Sequence, residues 1–152
     1  MHDDLIDHAK LQRMIQTPIC LDESASSPVK AAQAIEIGAC GWINIKPGRV
    51  GGLTNALKTH EICTEAGVPV WIGGMLESAV GAEHCIALAT LPGVTYPNDI
   101  FLSRRFYTRD LAEPEIGLSG SGKVTATLGP GIGCAPDPVR LKSLAIDSVR
   151  MR

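Results

Sequence analysis

No apolar run in this 152-residue sequence approaches the ~20 residues that span a bilayer, so a membrane protein of the helical kind is not expected. Nor is there a basic stripe. The formal net charge is −2, from 14 Lys and Arg against 16 Asp and Glu, and nucleic acid is not an expected partner. The N-terminus, Met-His-Asp-Asp-Leu-Ile-Asp-His, lacks the basic-then-apolar plan of a secretory signal. No C-x-x-C occurs, and the five cysteines (Cys20, Cys40, Cys63, Cys85, Cys134) are an odd number. They are expected to be buried, reduced thiols of a cytoplasmic protein. What is present is globular: 45% hydrophobic, 20% charged, and about one domain long.

The stretch Gly41-Trp-Ile-Asn-Ile-Lys46-Pro-Gly-Arg49-Val-Gly-Gly52 organises the rest. Its apolar first half predicts a buried strand that ends at Lys46, followed by a Pro/Gly loop carrying Arg49. A strand that delivers a charged side chain at its carboxyl end, before a glycine-rich turn into a helix, is the plan of an α/β barrel. Neighbouring segments repeat it. A helix over 3–16 is capped by Asp3 or Asp4; Pro18–Leu21 is an apolar run ending at Asp22-Glu23-Ser24; Ser26 or Ser27 with Pro28 starts a helix that stops at Gly38. Helices are predicted over about 53–66 and 79–90, and strands over 69–72 and 93–96. The strand starts at Pro18, Trp42, Pro69 and Val94 recur at spacings of 24, 27 and 25 residues, which describes βα units and a parallel sheet. Each strand is apolar on both faces, as expected where helices cover one side and a barrel core the other. Asp22, Lys46, Glu77 and Asp99 then fall on one rim. Beyond residue 100 the pattern changes to a Gly/Pro-rich stretch, with a β-hairpin expected over 117–125 and a short helix from about Pro138.

At that rim, Asp22 offers a hard oxygen ligand suited to Mg2+. Lys46, beside Arg49, is expected to have its pKa lowered by cationic neighbours towards that of a working base. Other signals carry less. Gly117-x-x-x-x-Gly122-Lys123 resembles a phosphate loop, but Val124 replaces the hydroxyl residue that would hold Mg2+. His60 with Cys63, and Glu83-His84-Cys85, are expected to be packing residues, and Arg104-Arg105 an exposed turn.

Three of these motifs carry a resemblance. Thr17-Pro-Ile-Cys-Leu-Asp22-Glu23-Ser24, Asn44-Ile-Lys46-Pro-Gly-Arg49-Val-Gly-Gly52 and Trp71-Ile-Gly-Gly-Met-Leu-Glu77-Ser78 look like the final strands of enolase-superfamily enzymes. The subgroup is the muconate-lactonizing type, nearest to o-succinylbenzoate synthases and N-acylamino acid racemases. The resemblance implies a partial TIM-type (β/α) barrel, about its last four strands. Residues 1–110 would be the C-terminal half of a (β/α)7β barrel. Residues 111–152 would be a hairpin tail and short helix, which in the family packs on a capping domain. It implies Mg2+ held by three acidic residues, of which Asp22 is the last, with Glu23 its acidic neighbour. Lys46 would be the catalytic lysine: a cation facing the intermediate in the synthase, an acid/base in the racemase. Asn44, Arg49, Gly73, Gly74, Met75, Glu77, Ser78 and Asp99 would touch the substrate or support the residues that do. The implied chemistry is proton removal α to a small carboxylate, with loss of water to o-succinylbenzoate in menaquinone biosynthesis or racemisation of an N-acylamino acid.

A strand period near 25 places the preceding strand end before residue 1, and such a barrel typically takes about 250 residues. The other two metal ligands, the second-strand lysines and the capping domain are therefore not in this sequence. Mg2+ binding is expected to be weak or absent and turnover by this chain alone negligible. An open half-barrel is expected to associate with itself or with a complementing N-terminal half. A single Asp99, where a dipeptide epimerase would show two aspartates, favours the synthase and racemase branch. A small standalone anion-binding module is the remaining reading.

Overall fold

The computed structural model describes residues 3–149. Met1, His2 and residues 150–152, which the readings of the N-terminus and the tail include, lie outside them. Helix α1 (Leu5–Met14) starts where the Asp4 side chain accepts from the Asp7 N–H. It is followed by strand β1 (Cys20–Leu21) and by helix α2 (Pro28–Glu36). In α2 the Ser27 hydroxyl accepts from the Lys30 N–H and proline fills the first turn, the cap that the sequence announces. Strand β2 (Trp42–Ile45), helix α4 (Leu53–Glu65), strand β3 (Val70–Ile72) and helix α5 (Ala79–Ala89) complete the repeat. Between β2 and α4 the expected loop is a helical turn, α3 (Pro47–Val50), closed by left-handed Gly51.

The three strands form a parallel sheet in the order β1-β2-β3, with Leu21 opposite Ile43 and Ile45 opposite Ile72. Side-chain alternation divides it. Leu21, Ile43, Ile45, Val70 and Ile72 are buried against Ala31, Ala34, Ala56 and Cys63 on the helix side. The opposite face carries Cys20, Trp42 and Trp71, with Cys20 exposed and both indoles partly so. This corrects the reading of strands covered on both sides. The fold is an α/β arrangement with a partial, open (β/α) sheet.

The fourth strand is not formed. Residues 94 and 99 touch β3 only through single bridges, Val70 to Val94 and Gly73 to Asp99. Pro97 has no N–H to give, and the Asn98 side chain takes the Ile72 N–H at 2.7 Å, where a strand would offer a carbonyl. The hairpin over 117–125 is likewise only a turn, with the Ser119 N–H on the Lys123 carbonyl at 2.8 Å. The tail instead pairs β4 (Ala112–Glu113) antiparallel with β5 (Ala135–Pro136), ahead of helix α6 (Pro138–Leu144). No helix among the described residues is long and apolar enough to cross a membrane.

All five thiols are free, and burial pushes those of Cys63 and Cys85 up to about 12. Cys20 departs from the expectation of burial. His60 lies on the Pro92 carbonyl at 2.8 Å and not with Cys63 at a site; His84 bonds the Val80 carbonyl within α5. Arg104 and Arg105 sit in an exposed 3-10 turn, Ser103–Arg105, with the Arg105 guanidinium 4.8 Å from the Phe101 ring centre.

Candidate active site

Parallel strands in register put successive strand ends side by side, and a period of two puts Asp22, Asn44 and Lys46 on the same face as Cys20, Trp42 and Trp71. There they meet. The Lys46 ammonium lies 2.9 Å from Asp22 Oδ2 and 3.3 Å from Glu23 Oε1. The Asn44 amide donates to Asp22 Oδ1 at 3.0 Å, and the Arg49 guanidinium donates to that same oxygen and to the Asn44 carbonyl. Arg49 comes from α3, so the unforeseen helical turn folds the guanidinium back over the strand that precedes it. Asn44 is fully buried and its Oδ1 has no hydrogen-bond partner.

The residues after β3 join through backbone and shape. A Cβ on Gly73 would stand 2.5 Å from Asn44 Oδ1, so only glycine lets this strand end pass the amide. Gly74 donates to the Asp99 carbonyl at 2.8 Å, and Asp99 enters through its backbone while its side chain is exposed. Glu77 accepts from the Met75 N–H; Met75 itself is half exposed. Ser78 precedes α5 but does not cap it with its side chain. That role falls to buried Asp110, whose carboxylate takes the Ala79 N–H at 2.9 Å and the Ala112 N–H at 2.9 Å. Tyr107 grips the same loop, donating from its hydroxyl to the Leu76 carbonyl at 2.6 Å. Sequence reasoning passes over both residues, since neither stands in a local motif; a cap supplied from 31 residues away leaves no spacing to read.

The electrostatics overturn one expectation. Burial works to lower the Lys46 pKa, but hydrogen bonds and charge from Asp22 and Glu23 outweigh it, and the net shift is upward. Arg49 was expected to depress it; instead the guanidinium is turned onto Asp22, and the nearest partners of the ammonium are carboxylates. Lys46 is therefore protonated at neutral pH. Glu23 is held below the usual carboxylate range by its own backbone N–H and by Lys46.

Could this cluster hold Mg2+? Among the described residues no three His, Cys, Asp or Glu side chains converge. Asp22 has both oxygens on cationic or amide donors, and Glu23 leans on Lys46. A divalent cation wants several oxygens that are not already facing an ammonium and a guanidinium. The donor set of this chain does not by itself fit the ion.

A strand-helix repeat with an acid and a lysine at adjacent strand ends defines a class, and the comparisons agree with it. Residues 1–140 match the family model described as enolase C-terminal domain-like. The chain belongs to the enolase superfamily, in its muconate-lactonizing subgroup. Among curated relatives, it is 48% identical to an N-succinylamino acid racemase from Amycolatopsis sp over 97% of this chain and 39% of that protein. It is 50% identical to the o-succinylbenzoate synthase of Geobacillus stearothermophilus over 86% of this chain and 35% of that one. A crystal structure of an enolase-superfamily member from Listeria innocua superposes with a TM-score of 0.86 at 42% identity, covering 94% of this chain and 38% of the other. The chain thus spans little more than a third of the length of the proteins it matches.

Proposed function

We propose that this chain supplies the closing part of an enolate-forming site of the o-succinylbenzoate synthase type, acting on a small carboxylate. The observation that carries the reading is the ion pair between Asp22 and Lys46 at adjacent strand ends, in a chain about half identical to synthases and racemases. Lys46, held protonated by two carboxylates, is a fixed positive charge where an α-proton has left and negative charge gathers on the substrate carboxylate. A preorganised cation there lowers the barrier without reorganising. That role suits elimination of water. Racemisation asks Lys46 to exchange its proton with the substrate α-carbon, against two carboxylates that hold the ammonium protonated, and the racemase relative aligned over 97% of this chain supports that second reading. Asn44 and Arg49 orient Asp22; Gly73, Gly74, Met75, Glu77, Ser78 and Asp99 form the neighbouring wall.

Asp22 alone does not make the family's Mg2+ site, so the working site needs carboxylates from elsewhere. A complementing N-terminal half is the source we favour; a non-catalytic half-barrel that pairs with a second copy is the alternative. The test assays the purified chain with Mg2+ for both synthase and N-succinylamino acid racemase activity. One arm uses the chain alone, and another adds the separately produced N-terminal part of the Geobacillus relative. Turnover is expected only in the mixture, and lost there in Lys46→Ala. Mg2+-dependent turnover by the chain alone, abolished by Lys46→Ala, would overturn the proposal.

A further inference from the structure

The charges at the strand ends cancel. Asp22 and Glu23 bring two negative charges, Lys46 and Arg49 bring two positive ones, and ion pairs join all four side chains. A carboxylate attracts a divalent cation through net negative charge and oxygens that are free to coordinate. Asp22 offers neither. Its Oδ2 lies 2.9 Å from the Lys46 ammonium, and its Oδ1 takes the Arg49 guanidinium and the Asn44 amide. Yet the carboxylates are open to solvent: the Asp22 side chain is 34% exposed and that of Glu23 55%. What stands between them and a dissolved cation is the internal counter-charge, not a wall.

The two internal cations are held differently. Arg49 is tied into the fold, because its guanidinium also donates to the Asn44 carbonyl and its Nε is buried. The Lys46 ammonium has Asp22 and Glu23 as its hydrogen-bond partners among the described residues, and it ends a flexible four-carbon stem. We propose that Lys46 is an autoinhibitory counter-ion: its ammonium holds the place on Asp22 that a divalent cation would take, and so keeps the chain by itself from binding one. Neutralising that single side chain turns the cluster from neutral to singly negative. It also frees Asp22 Oδ2 next to the exposed Glu23 carboxylate. The proposal rests on the placement of these four side chains and not on the enolate reading, so either can fail without the other.

Titration of the full chain with Mn2+ tests this without any turnover. The ion favours carboxylate and water oxygens, and its free concentration is read by electron paramagnetic resonance. The wild-type chain is expected to show no saturable binding at Asp22. Lys46→Met should bind Mn2+ at least about tenfold more tightly, since a positive charge close to the site has gone. Bound Mn2+ should then broaden the amide resonances of Glu23 and Asn44 first in the 15N-labelled variant. Lys46→Arg keeps the charge and should bind as weakly as wild type. Lys46→Gln, which removes the charge but keeps a polar side chain, gives the direction of Lys46→Met if that variant does not fold. Adding Asp22→Asn to Lys46→Met should abolish the gain. Four results would each overturn the proposal: wild-type binding at Asp22 as tight as in Lys46→Met, no gain in either neutral variant, Lys46→Arg binding as tightly as Lys46→Met, or a gain that survives Asp22→Asn.

Discussion

Gly73 and Asn44 show how narrow the tolerances are where β2 and β3 end. The amide of Asn44 has Asp22 on one side and the bare Cα of Gly73 on the other, with no room for a methyl group. Gly73→Ala is therefore expected to push the amide off Asp22 and to destabilise the chain by about 1–3 kcal/mol, the usual cost of overpacking; urea unfolding measures it. A second consequence concerns the buried thiols. Cys63 and Cys85 titrate near 12 in the folded chain against an ordinary 9.0, so the unfolded chain gives up those protons first. Their contribution to stability is complete below pH 9 and drains away as pH rises towards 12. The urea midpoint should fall through that window, and less steeply in Cys63→Ala. Asp22 and Lys46 are legible in the sequence as strand-end residues, because each closes an apolar run. The direction of the Lys46 shift is not, because sequence places Arg49 near Lys46 without saying that both cations turn onto Asp22, with Glu23 a second carboxylate on the ammonium.

At the scale of elements, local chemistry decides what can be foreseen. Helix α2 is written in Ser27-Pro28 at its start and Gly38 at its end, and β2 in an apolar run stopped by Lys46. Residues 94–99 mislead because a side chain, Asn98, fills a place that a backbone carbonyl would take in a strand. The β4–β5 pair has two residues on each side, below the length at which alternation can be read. The start of α5 is the same lesson from the stability side. Its first N–H group is satisfied by Asp110 from the tail, so the repeat and the tail are joined by a buried carboxylate rather than by apolar contact alone. Asp110→Ala strands the N–H groups of Ala79 and Ala112 and should cost about 1–3 kcal/mol. The specific signature is faster amide exchange at Ala79, together with loosening of the 73–78 loop. Equal destabilisation with unchanged exchange there would assign Asp110 to general packing instead.

For the whole molecule, the decisive asymmetry is between the two faces of one sheet. The helix side is closed: Ile43, Ile45 and Ile72 have no exposed surface. The other side carries the charged cluster at one end and Cys20, Trp42 and Trp71 behind it, with the Trp71 indole donating to Cys20 Sγ at 3.2 Å and the Trp42 ring centre 3.9 Å from that of Tyr96 at a tilt of 41°. Two tryptophans on a partly wet surface lose free energy to water at roughly 25 cal/mol per Å2 of apolar area, so covering that face is favourable whatever covers it. Cys20 reports on the cover. It is the exposed thiol of the five, and it lies on the open face, on the edge strand β1. Its alkylation by iodoacetamide should slow as protein concentration rises, while sedimentation shows mass growing beyond 16.1 kDa. Adding a complementing N-terminal half should slow it further and at lower concentration, because strands that continue the sheet also satisfy its edge. A labelling rate independent of concentration, with a monomer's mass throughout, would mean that the aromatic residues shield this face well enough without a partner.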